Sequence, residues 1–414
     1  DSWAKEWLQT AGVNTLAPTF ELADDGSYTS FAVRQTAHPE WPTLRRHRIG
    51  IGLYDAVVGE NGEAALVRRD RVEIDVHGEL TEVPELVGIA QPDLLLLNDD
   101  DLTYAKIRLD ERSLSTAVES LGRLDDSLAR ALCWGAAWDM TRDAEMRATD
   151  FVDLVLRNIA SETDAWGLAA LPRFAALATN FYSAPANRDA VKDTWEQGLR
   201  RLLGEAAPGS DHQLTFARHL AGSARSSEVL DEIEGLLDGS VTFEGLDVDQ
   251  DLRWVLVTGL ARAGRIGGDR IAAELERDQT ISGREHAAAA RAAQPTAEAK
   301  AAAWRTVLDP DTPNETSRSI VLSFMRPDQQ EVLEPYVDAY LEAADTLWDV
   351  LGPHKASVAV EYLFPKPLGS PELLTRVDEW LATTDAGPGA KRYVTEGRAD
   401  VVRALAAQER DARG

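Results

Sequence analysis

The hydrophobic pattern of the chain changes its period once, near Asp110. Between about residues 15 and 110, apolar and polar residues alternate in short segments, and from residue 111 onwards apolar residues recur at helical spacing. Alternation is typical of strands that bury one face, as in an antiparallel sandwich. At 414 residues the chain is also too long for a single ordinary core. The pattern therefore predicts a multidomain, mainly α protein in which a small antiparallel β-sandwich precedes a helical region.

The alternating part contains five strand-like segments, at residues 20–23, 28–36, 47–55, 64–76 and 104–109. Within the fourth segment, residues 72–76 have the sequence VEIDV, which gives one buried and one exposed face. Asp-Gly at residues 25–26 and Asn-Gly at residues 61–62 lie between such segments, where hairpin turns need residues that tolerate positive φ. Short strands with turns at this spacing indicate a β-sandwich.

The helical part consists of amphipathic segments separated by breaks rich in Gly, Pro, Asp or Ser. Clear examples are residues 124–141, 150–161, 188–203, 212–221, 249–262, 297–308, 327–351, 373–382 and 391–412. Many are too short to be stable alone, so we predict that they stack as antiparallel pairs in an α-helical solenoid of HEAT-like or armadillo-like type. Core packing is also predicted for the tryptophans of this region, Trp138, Trp166, Trp195, Trp254, Trp304, Trp348 and Trp380.

The first residues predict a helix over residues 1–11, with Trp3, Trp7 and Leu8 on one face and Gly12 placed to end it in the left-handed conformation. That apolar face has no partner within the segment. The helix either packs on something that precedes it or docks on the sandwich. We predict three parts: residues 1–12 as the last helix of a truncated upstream domain, 13–110 as the sandwich and 111–414 as the helical repeat domain.

The chain has a formal net charge of −27, which repels nucleic-acid phosphates and anionic membrane surfaces. No compact run of basic residues offsets it, so neither nucleic acid nor a membrane is expected as a partner. Cys133 is the single cysteine, so an intramolecular disulfide cannot form, which fits a reducing compartment. A signal-peptide pattern and an apolar run of membrane-spanning length are also missing, and the sequence predicts a cytoplasmic protein.

Motifs for metal-dependent or nucleophilic catalysis are missing from the sequence. H-E-x-x-H does not occur, no two histidines are four residues apart, and His212 and His219 are about two helical turns apart. Cys133 lies in an apolar context without an identifiable activating histidine, and no G-x-S-x-G elbow follows a strand. The acidic run at residues 98–101 lacks the ligand spacing of a calcium loop. We expect no catalytic residue and no metal ligand in this chain.

Three stretches of the sequence, taken in order, carry a resemblance to a known family. The first is WAKEWLQTAGVNTL, which starts at Trp3. The second comprises RRHRIGIGLYD and DDLTYAKIRLD, at residues 45–55 and 100–110. The third comprises ALCWGAAWDMTRDAEMRATDFVDLVLRNI, FMRPDQQEVLEPYV and the ending RALAAQERDA. Together they resemble the aminopeptidase N family of zinc exopeptidases in its actinobacterial form. The resemblance covers essentially the whole chain and rests on the collinear order of these stretches.

This resemblance implies a non-catalytic C-terminal region. In the family, an upstream catalytic domain holds zinc through H-E-x-x-H and a distant Glu, and binds the free amine of the substrate with a G-x-M-E-N loop. Neither motif is present here. The family's helical domain encloses a chamber that admits peptides, gates access to it and contacts the distal part of the peptide. The implied partners are therefore the upstream catalytic domain of the same protein and peptide substrates, with zinc held by that domain.

Three residues are candidates for contact with peptide. Phe324 and Arg326 lie at a predicted helix break, where an arginine can meet a peptide carboxylate, and Arg142 lies at a similar break. Two other hypotheses stay open. One is a stand-alone helical scaffold that binds a protein partner, and the other is a hydrolase with a dispersed catalytic triad.

Overall fold

The computed structural model describes residues 2–59, 62 and 64–413. It divides into two compact units, Asp1–Ala178, called unit 1, and Thr179–Gly414, called unit 2. The change from strands to helices falls at Asp110, inside unit 1. Asn61 of the predicted Asn-Gly turn lies outside the described residues, whereas Gly26 and Gly62 both have a φ of +81°.

In the described part of the chain, unit 1 begins with a short helix and seven strands. These are α1 (Ser2–Leu8), β1 (Thr15–Leu22), β2 (Tyr28–Thr36), β3 (His47–Val58), β4 (Ala64–Val76), β5 (Leu80–Glu82), β6 (Leu94–Asp99) and β7 (Lys106–Ile107). They form two sheets with the orders β5-β2-β1-β7 and β4-β3-β6. All neighbours are antiparallel except β1 and β7, which run parallel. The predicted small β-sandwich is confirmed.

Strand β6 differs from the strands that alternation can detect. All six of its residues, LLLLND, are buried. It pairs with β3 at the edge of its sheet, and helices α2 (Glu111–Ser120) and α3 (Ser127–Arg142) pack against it. A strand covered on both faces has a continuous apolar run instead of an alternating one, which is why the sequence pattern did not reveal it.

Helix α1 is shorter than predicted and docks on the sandwich through Arg45. The Arg45 guanidinium donates to the carbonyl oxygens of Glu6 and Ala11, at 3.0 Å each, and lies 5.4 Å from the centre of the Trp7 ring. Gly12 has the predicted left-handed conformation, with φ +86°, but the helix already ends at Leu8. A Cβ atom at Gly12 would lie 2.7 Å from Trp41 Cβ, so the close approach of Trp41 also requires glycine here.

The same face of the sandwich buries His47. Its Nε2 lies 3.0 Å from Gln35 Oε1 and its Nδ1 lies 2.9 Å from Thr103 Oγ1, so a neutral ring protonated at Nε2 satisfies both contacts. Trp7 packs edge-on against the ring. Burial, with a further contribution from the Arg45 charge, lowers the pKa of His47 to about 4.

We expect the stability of unit 1 to fall as the pH falls from about 6.5 to 4, because the unfolded state takes up a proton at His47 that the folded state excludes. The loss is at most about 3 kcal/mol at pH 4. Thermal unfolding at pH 7 and pH 4.5 measures it. The variant His47→Gln keeps polar groups at this position but does not titrate, so its pH dependence should be smaller. Equal pH dependence in both proteins would contradict the assignment.

Unit 1 continues with α2, α3, α4 (Ala148–Asn158) and α5 (Ala165–Leu177). The carboxylates of Asp110, Asp126 and Asp164 cap the N-termini of α2, α3 and α5. Arg108, which follows β7, pairs with Asp143 at 2.6 Å beyond the end of α3. This ion pair ties the last strand to the first long helix.

Among the described residues, unit 2 consists almost entirely of helices. They are α6 (Arg188–Glu205), α7 (Asp211–Ser223), α8 (Ser227–Asp238), α9 (Gln250–Arg262), α10 (Gly268–Arg277), α11 (Ile281–Ala293), α12 (Ala297–Leu308), α13 (Asn314–Phe324), α14 (Gln330–Leu333), α15 (Tyr336–Tyr362), α16 (Pro371–Thr383) and α17 (Pro388–Ala412). The prediction of a helical region after the sandwich is confirmed. No described helix is both long and apolar enough to span a membrane.

Alternate helices of unit 2 pack side by side, in the row α7, α9, α11, α13 and α15. The backbones approach closely, because a Cβ atom at Gly259 of α9 would lie only 2.3 Å from the carbonyl oxygen of Ala221 in α7. Helices two apart in a chain of antiparallel pairs run in the same direction. The C-terminal ends of α7, α9, α11 and α13 therefore lie along one edge of the row.

Two expectations about the helical region are wrong. A single helix was predicted over residues 327–351, but the structure has α14 and α15 there, with Pro335 between them and a left-handed Gly352 inside α15, at φ +75°. Trp166 was expected in the core, but 63% of it is exposed. By contrast Trp138, Trp195, Trp254 and Trp380 are buried.

The last helix returns to the beginning of unit 2. The buried Asp411 of α17 accepts hydrogen bonds from the Ala184 N–H at 2.9 Å and from Asn187 Nδ2 at 3.2 Å. One turn earlier, Gln408 Nε2 donates to the Phe181 carbonyl at 2.8 Å. These bonds join residues 224 or 227 positions apart, so the two ends of the unit hold each other in place.

Candidate functional site

The loop between α13 and α14 contains two of the candidates that the sequence predicted. Phe324 ends α13, and its side chain is fully buried. The ring packs against Trp304 and Tyr336, with centroid distances of 5.8 and 4.9 Å. Phe324 therefore presents no exposed surface to a ligand and fixes the position at which the loop leaves the helix.

Arg326, two residues later, is half-buried. Its Nε donates to the Ser323 carbonyl at 3.1 Å, and no carboxylate of the described residues forms an ion pair with it. Burial lowers the pKa of Arg326 to about 10, the nearby Arg262 charge adds to this, and Asp328 opposes it. The guanidinium is thus a charged group whose terminal nitrogens are not neutralised by a direct partner.

Arg262 comes from the end of α9 and pairs with Asp328. Its other terminal nitrogen donates to the Ala224 carbonyl just beyond α7, while its buried Nε has no partner in the part of the chain described. Gln329 donates from Nε2 to the carbonyls of Arg262 and Ala293, at 2.9 and 2.7 Å. These donors satisfy carbonyl oxygens that the ends of α9 and α11 leave without helical partners.

Lys300 of α12 is fully buried. Its ammonium donates to the carbonyls of Ala292 and Phe324, at 2.8 and 2.7 Å, and lies 5.1 Å from the centre of the Phe324 ring. Burial lowers the pKa of Lys300 to about 7, with Arg326 adding to the effect and Asp328 opposing it. Lys300 thus joins the ends of α11 and α13.

Lys192 of α6 is the fourth cation near Asp328. Burial lowers its pKa, Asp328 opposes this, and Arg225 and Arg188 reinforce it. We call Lys192, Arg262, Lys300 and Arg326 the cationic cluster. Asp328 pairs with Arg262 and raises the pKa of the other three, and Asp189 also raises the pKa of Lys192. A local excess of positive charge in a chain of net charge −27 favours an anionic ligand.

Sequence reasoning selected Arg326 but missed the other members of the cluster. The sequence contains no compact run of basic residues, but the fold brings together cations from four positions that are far apart in the sequence. One signal was available: Lys300 lies on the same helical stripe as the buried Ala303 and Val307. A lysine on an apolar stripe indicates a buried amine with a specific partner.

Arg142, the third candidate, is the last residue of α3 in unit 1 and is half-buried. Its charge acts on Asp139, where burial raises the pKa of the carboxyl and the neighbouring cations Lys106, Arg108 and Arg142 oppose that rise. The next residue, Asp143, pairs with Lys106 at 2.7 Å. The setting of Arg142 is therefore a mixed cluster of cations and carboxylates.

Residues of the types that bind metals or act as nucleophiles lie outside the cationic cluster as well. The described residues contain no group of three or more His, Cys, Asp or Glu that could hold a metal ion. Cys133 is buried, which raises the pKa of its thiol to about 12 and keeps it protonated at neutral pH. The acidic run forms a turn with left-handed Asn98, Asp100 and Asp101.

The sequence of residues 94–403 matches the family described as the ERAP1-like C-terminal domain, and the chain belongs to that family. The chain is 48% identical over 418 residues to aminopeptidase N from Streptomyces lividans. The match covers 99% of this chain and 48% of the relative, so the chain spans about half the length of that protein. The predicted kinship with the C-terminal region of an aminopeptidase N-type protein is confirmed.

Proposed function

We propose that this chain is the non-catalytic part of a zinc aminopeptidase that removes N-terminal residues from peptides, and that it encloses and gates the peptide chamber. The family membership and the length of the Streptomyces relative, about twice that of this chain, support this proposal. The partner is then a catalytic domain upstream in the same protein, which carries the zinc and the amine-binding loop. The exposed Trp3 and Leu8 of α1 offer apolar surface to such a domain.

The cationic cluster is proposed to hold the distal, carboxylate end of the peptide. The observation that carries this assignment is the half-buried guanidinium of Arg326, which has no ion pair among the described residues and lies close enough to Arg262 and Lys300 for their charges to interact. A guanidinium binds a carboxylate through two parallel hydrogen bonds. The partial burial of Arg326 strengthens such a bond, because water competes for it less effectively.

If the upstream domain carries the zinc and the catalytic residues, we expect that this chain alone hydrolyses no aminoacyl substrate and binds no stoichiometric zinc. The physical reason is that H-E-x-x-H and the G-x-M-E-N loop are missing from its sequence. Metal analysis of the purified chain, together with an assay on aminoacyl anilides, measures both properties. One equivalent of zinc accompanied by hydrolysis would overturn the proposal and favour an unrecognised hydrolase.

Arg326→Gln is expected to weaken binding of a peptide with a free C-terminal carboxylate by about tenfold or more, because a charge-assisted bidentate contact is lost. Titration of the chain with the peptide, followed by NMR, measures the dissociation constant. Arg318→Gln removes an exposed arginine from α13 and is the matched control, with unchanged affinity expected. Arg326→Lys should retain part of the affinity, because lysine keeps the positive charge but cannot donate two parallel hydrogen bonds to one carboxylate. If all four proteins bind the peptide with equal affinity, the cationic cluster is not part of the binding site.

A further inference from the structure

Unit 2 contains a cavity of about 550 Å³ between α10, α11, α12 and α13, and no member of the cationic cluster lines it. Its volume falls within the roughly 300–1,000 Å³ of small-molecule sites. Alanine methyl groups form much of its wall, so we call it the alanine-lined pocket. The apolar lining comes from Ala288 and Ala292 of α11, Ala299, Ala302 and Ala303 of α12, and Ile320 of α13.

The pocket exists because α11 and α12 present short side chains to each other. Ala292 and Ala303 are buried at its base, and Ala302 is exposed near its opening. An alanine methyl is too short to fill the space between neighbouring helices, and no long apolar side chain lines the wall apart from Ile320. The result is an open apolar surface that matches an aliphatic side chain.

Two opposite charges also line the pocket. Arg291 comes from α11 and Glu298 from the first turn of α12, and both residues are exposed. In the described part of the chain neither side chain forms an ion pair or a side-chain hydrogen bond, and they do not pair with each other. Thr296 and Gln294 add a hydroxyl and an amide to the same wall. A cation and an anion that both remain unpaired at one apolar pocket are complementary to a molecule that carries both charges.

We propose that the alanine-lined pocket binds a short apolar zwitterion, a free α-amino acid or a dipeptide with aliphatic side chains. Arg291 receives the carboxylate, Glu298 receives the ammonium group, and the alanine surface covers the side chain. Binding at this pocket does not depend on the role proposed for the cationic cluster. If the chain is part of an aminopeptidase, molecules of this class are its products, and the pocket then senses them at a second site.

Calorimetric titration of the chain with L-leucine and leucyl-leucine tests the proposal, with N-acetyl-L-leucine and L-leucinamide as ligands that each lack one charge. At least one of the two zwitterions is expected to bind, and each blocked ligand to bind about tenfold more weakly or worse than leucine. Saturable binding of N-acetyl-L-leucine with the affinity of leucine would overturn the proposal and indicate a site for peptide carboxyl ends. No binding of either zwitterion would also overturn it.

Variants locate the binding in this pocket. Ala302→Phe fills the exposed part of the cavity and should abolish binding without changing the thermal unfolding temperature, because Ala302 lies at the surface. Arg291→Gln and Glu298→Gln should each weaken binding about tenfold. Arg305→Gln changes an exposed arginine of α12 outside the pocket and should leave binding unchanged. Leucine binding that survives Ala302→Phe would show that the pocket is not the site.

Discussion

Replacing Glu162 by Ala is expected to lower the free energy of unfolding of unit 1 by about 3–5 kcal/mol. Glu162 forms a buried ion pair with Arg130 at 3.1 Å and accepts a hydrogen bond from Trp134 Nε1 at 2.8 Å. Its carboxylate also accepts from the backbone N–H groups of Thr163 and Asp164, at 2.9 and 3.0 Å. Burial opposes ionisation, but the bonds from Arg130, Asp164 and Trp134 outweigh it and hold the pKa of the Glu162 carboxyl below its usual range.

The large effect arises because the alanine variant leaves a buried guanidinium without its carboxylate, and a lone buried charge costs more than the pair contributes. Thermal unfolding measures the loss, which should lower the melting temperature of unit 1 by about 10 °C. The double variant Arg130→Met/Glu162→Leu removes both charges and should recover part of the stability. Asp75→Ala breaks an exposed pair with Arg48 and should unfold like the wild type. Equal stability of the Glu162 and Asp75 variants would contradict this account.

Replacing Asp411 by Ala is expected to destabilise unit 2 by about 3 kcal/mol. The fully buried carboxylate accepts from Ala184 N–H and Asn187 Nδ2, and its removal leaves the buried Ala184 N–H without this acceptor, whereas Asn187 keeps a bond to the Asp411 carbonyl oxygen. Because these bonds join the last helix to the first residues of the unit, their loss should also free the end of α17. The melting temperature of unit 2 should fall by about 6–12 °C, and limited proteolysis should cleave α17 first.

Two variants control for the change at Asp411. Asp411→Asn keeps an acceptor oxygen of the same shape and should lose less stability than Asp411→Ala. Glu409→Ala removes an exposed carboxylate of the same helix, which pairs with Arg413 at 3.4 Å, and should be nearly neutral. If Asp411→Ala unfolds at the temperature of Glu409→Ala, the return of α17 to the start of unit 2 contributes nothing to stability.

The helices and strands were predictable from the sequence where apolar residues recur with a single regular period, either that of a strand or that of a helix. Strands β2 and β4 and helix α12 have the bounds that their patterns predicted. The exceptions have physical causes. Strand β6 is buried on both faces and lacks alternation, and a proline between α14 and α15 interrupts a pattern that continues across the break. The limits of the three predicted parts, 1–12, 13–110 and 111–414, stay predictions.

The candidate site was predictable only in part, because it forms where distant helices end side by side. Arg326 was accessible to sequence reasoning because it follows a helix break. Lys192, Arg262 and Lys300 each lie in helices whose other residues follow ordinary amphipathic patterns, and nothing local shows that they share Asp328. Convergence of this kind depends on the order in which α6, α9, α12 and the loop after α13 pack.

The cationic cluster combines two roles in one place. Arg262 and Lys300 donate to carbonyl oxygens at the ends of α7, α11 and α13, so they hold the row of helices together. Arg326 donates one bond to its own loop and keeps its terminal nitrogens without a carboxylate partner among the described residues. Substitutions at Lys300 or Arg262 therefore affect both stability and binding, whereas a substitution at Arg326 removes only one hydrogen bond within its own loop besides the proposed contact with the peptide.

Whether this chain holds the carboxylate end of a peptide, as we propose, is tested by comparing one peptide in two forms. The chain is titrated with a peptide that has a free C-terminal carboxylate and with the same peptide amidated at that end. We expect the carboxylate form to bind at least about tenfold more tightly than the amidated form, and Arg326→Gln to lose that preference. Equal binding of the two forms by the wild-type chain would contradict the proposal.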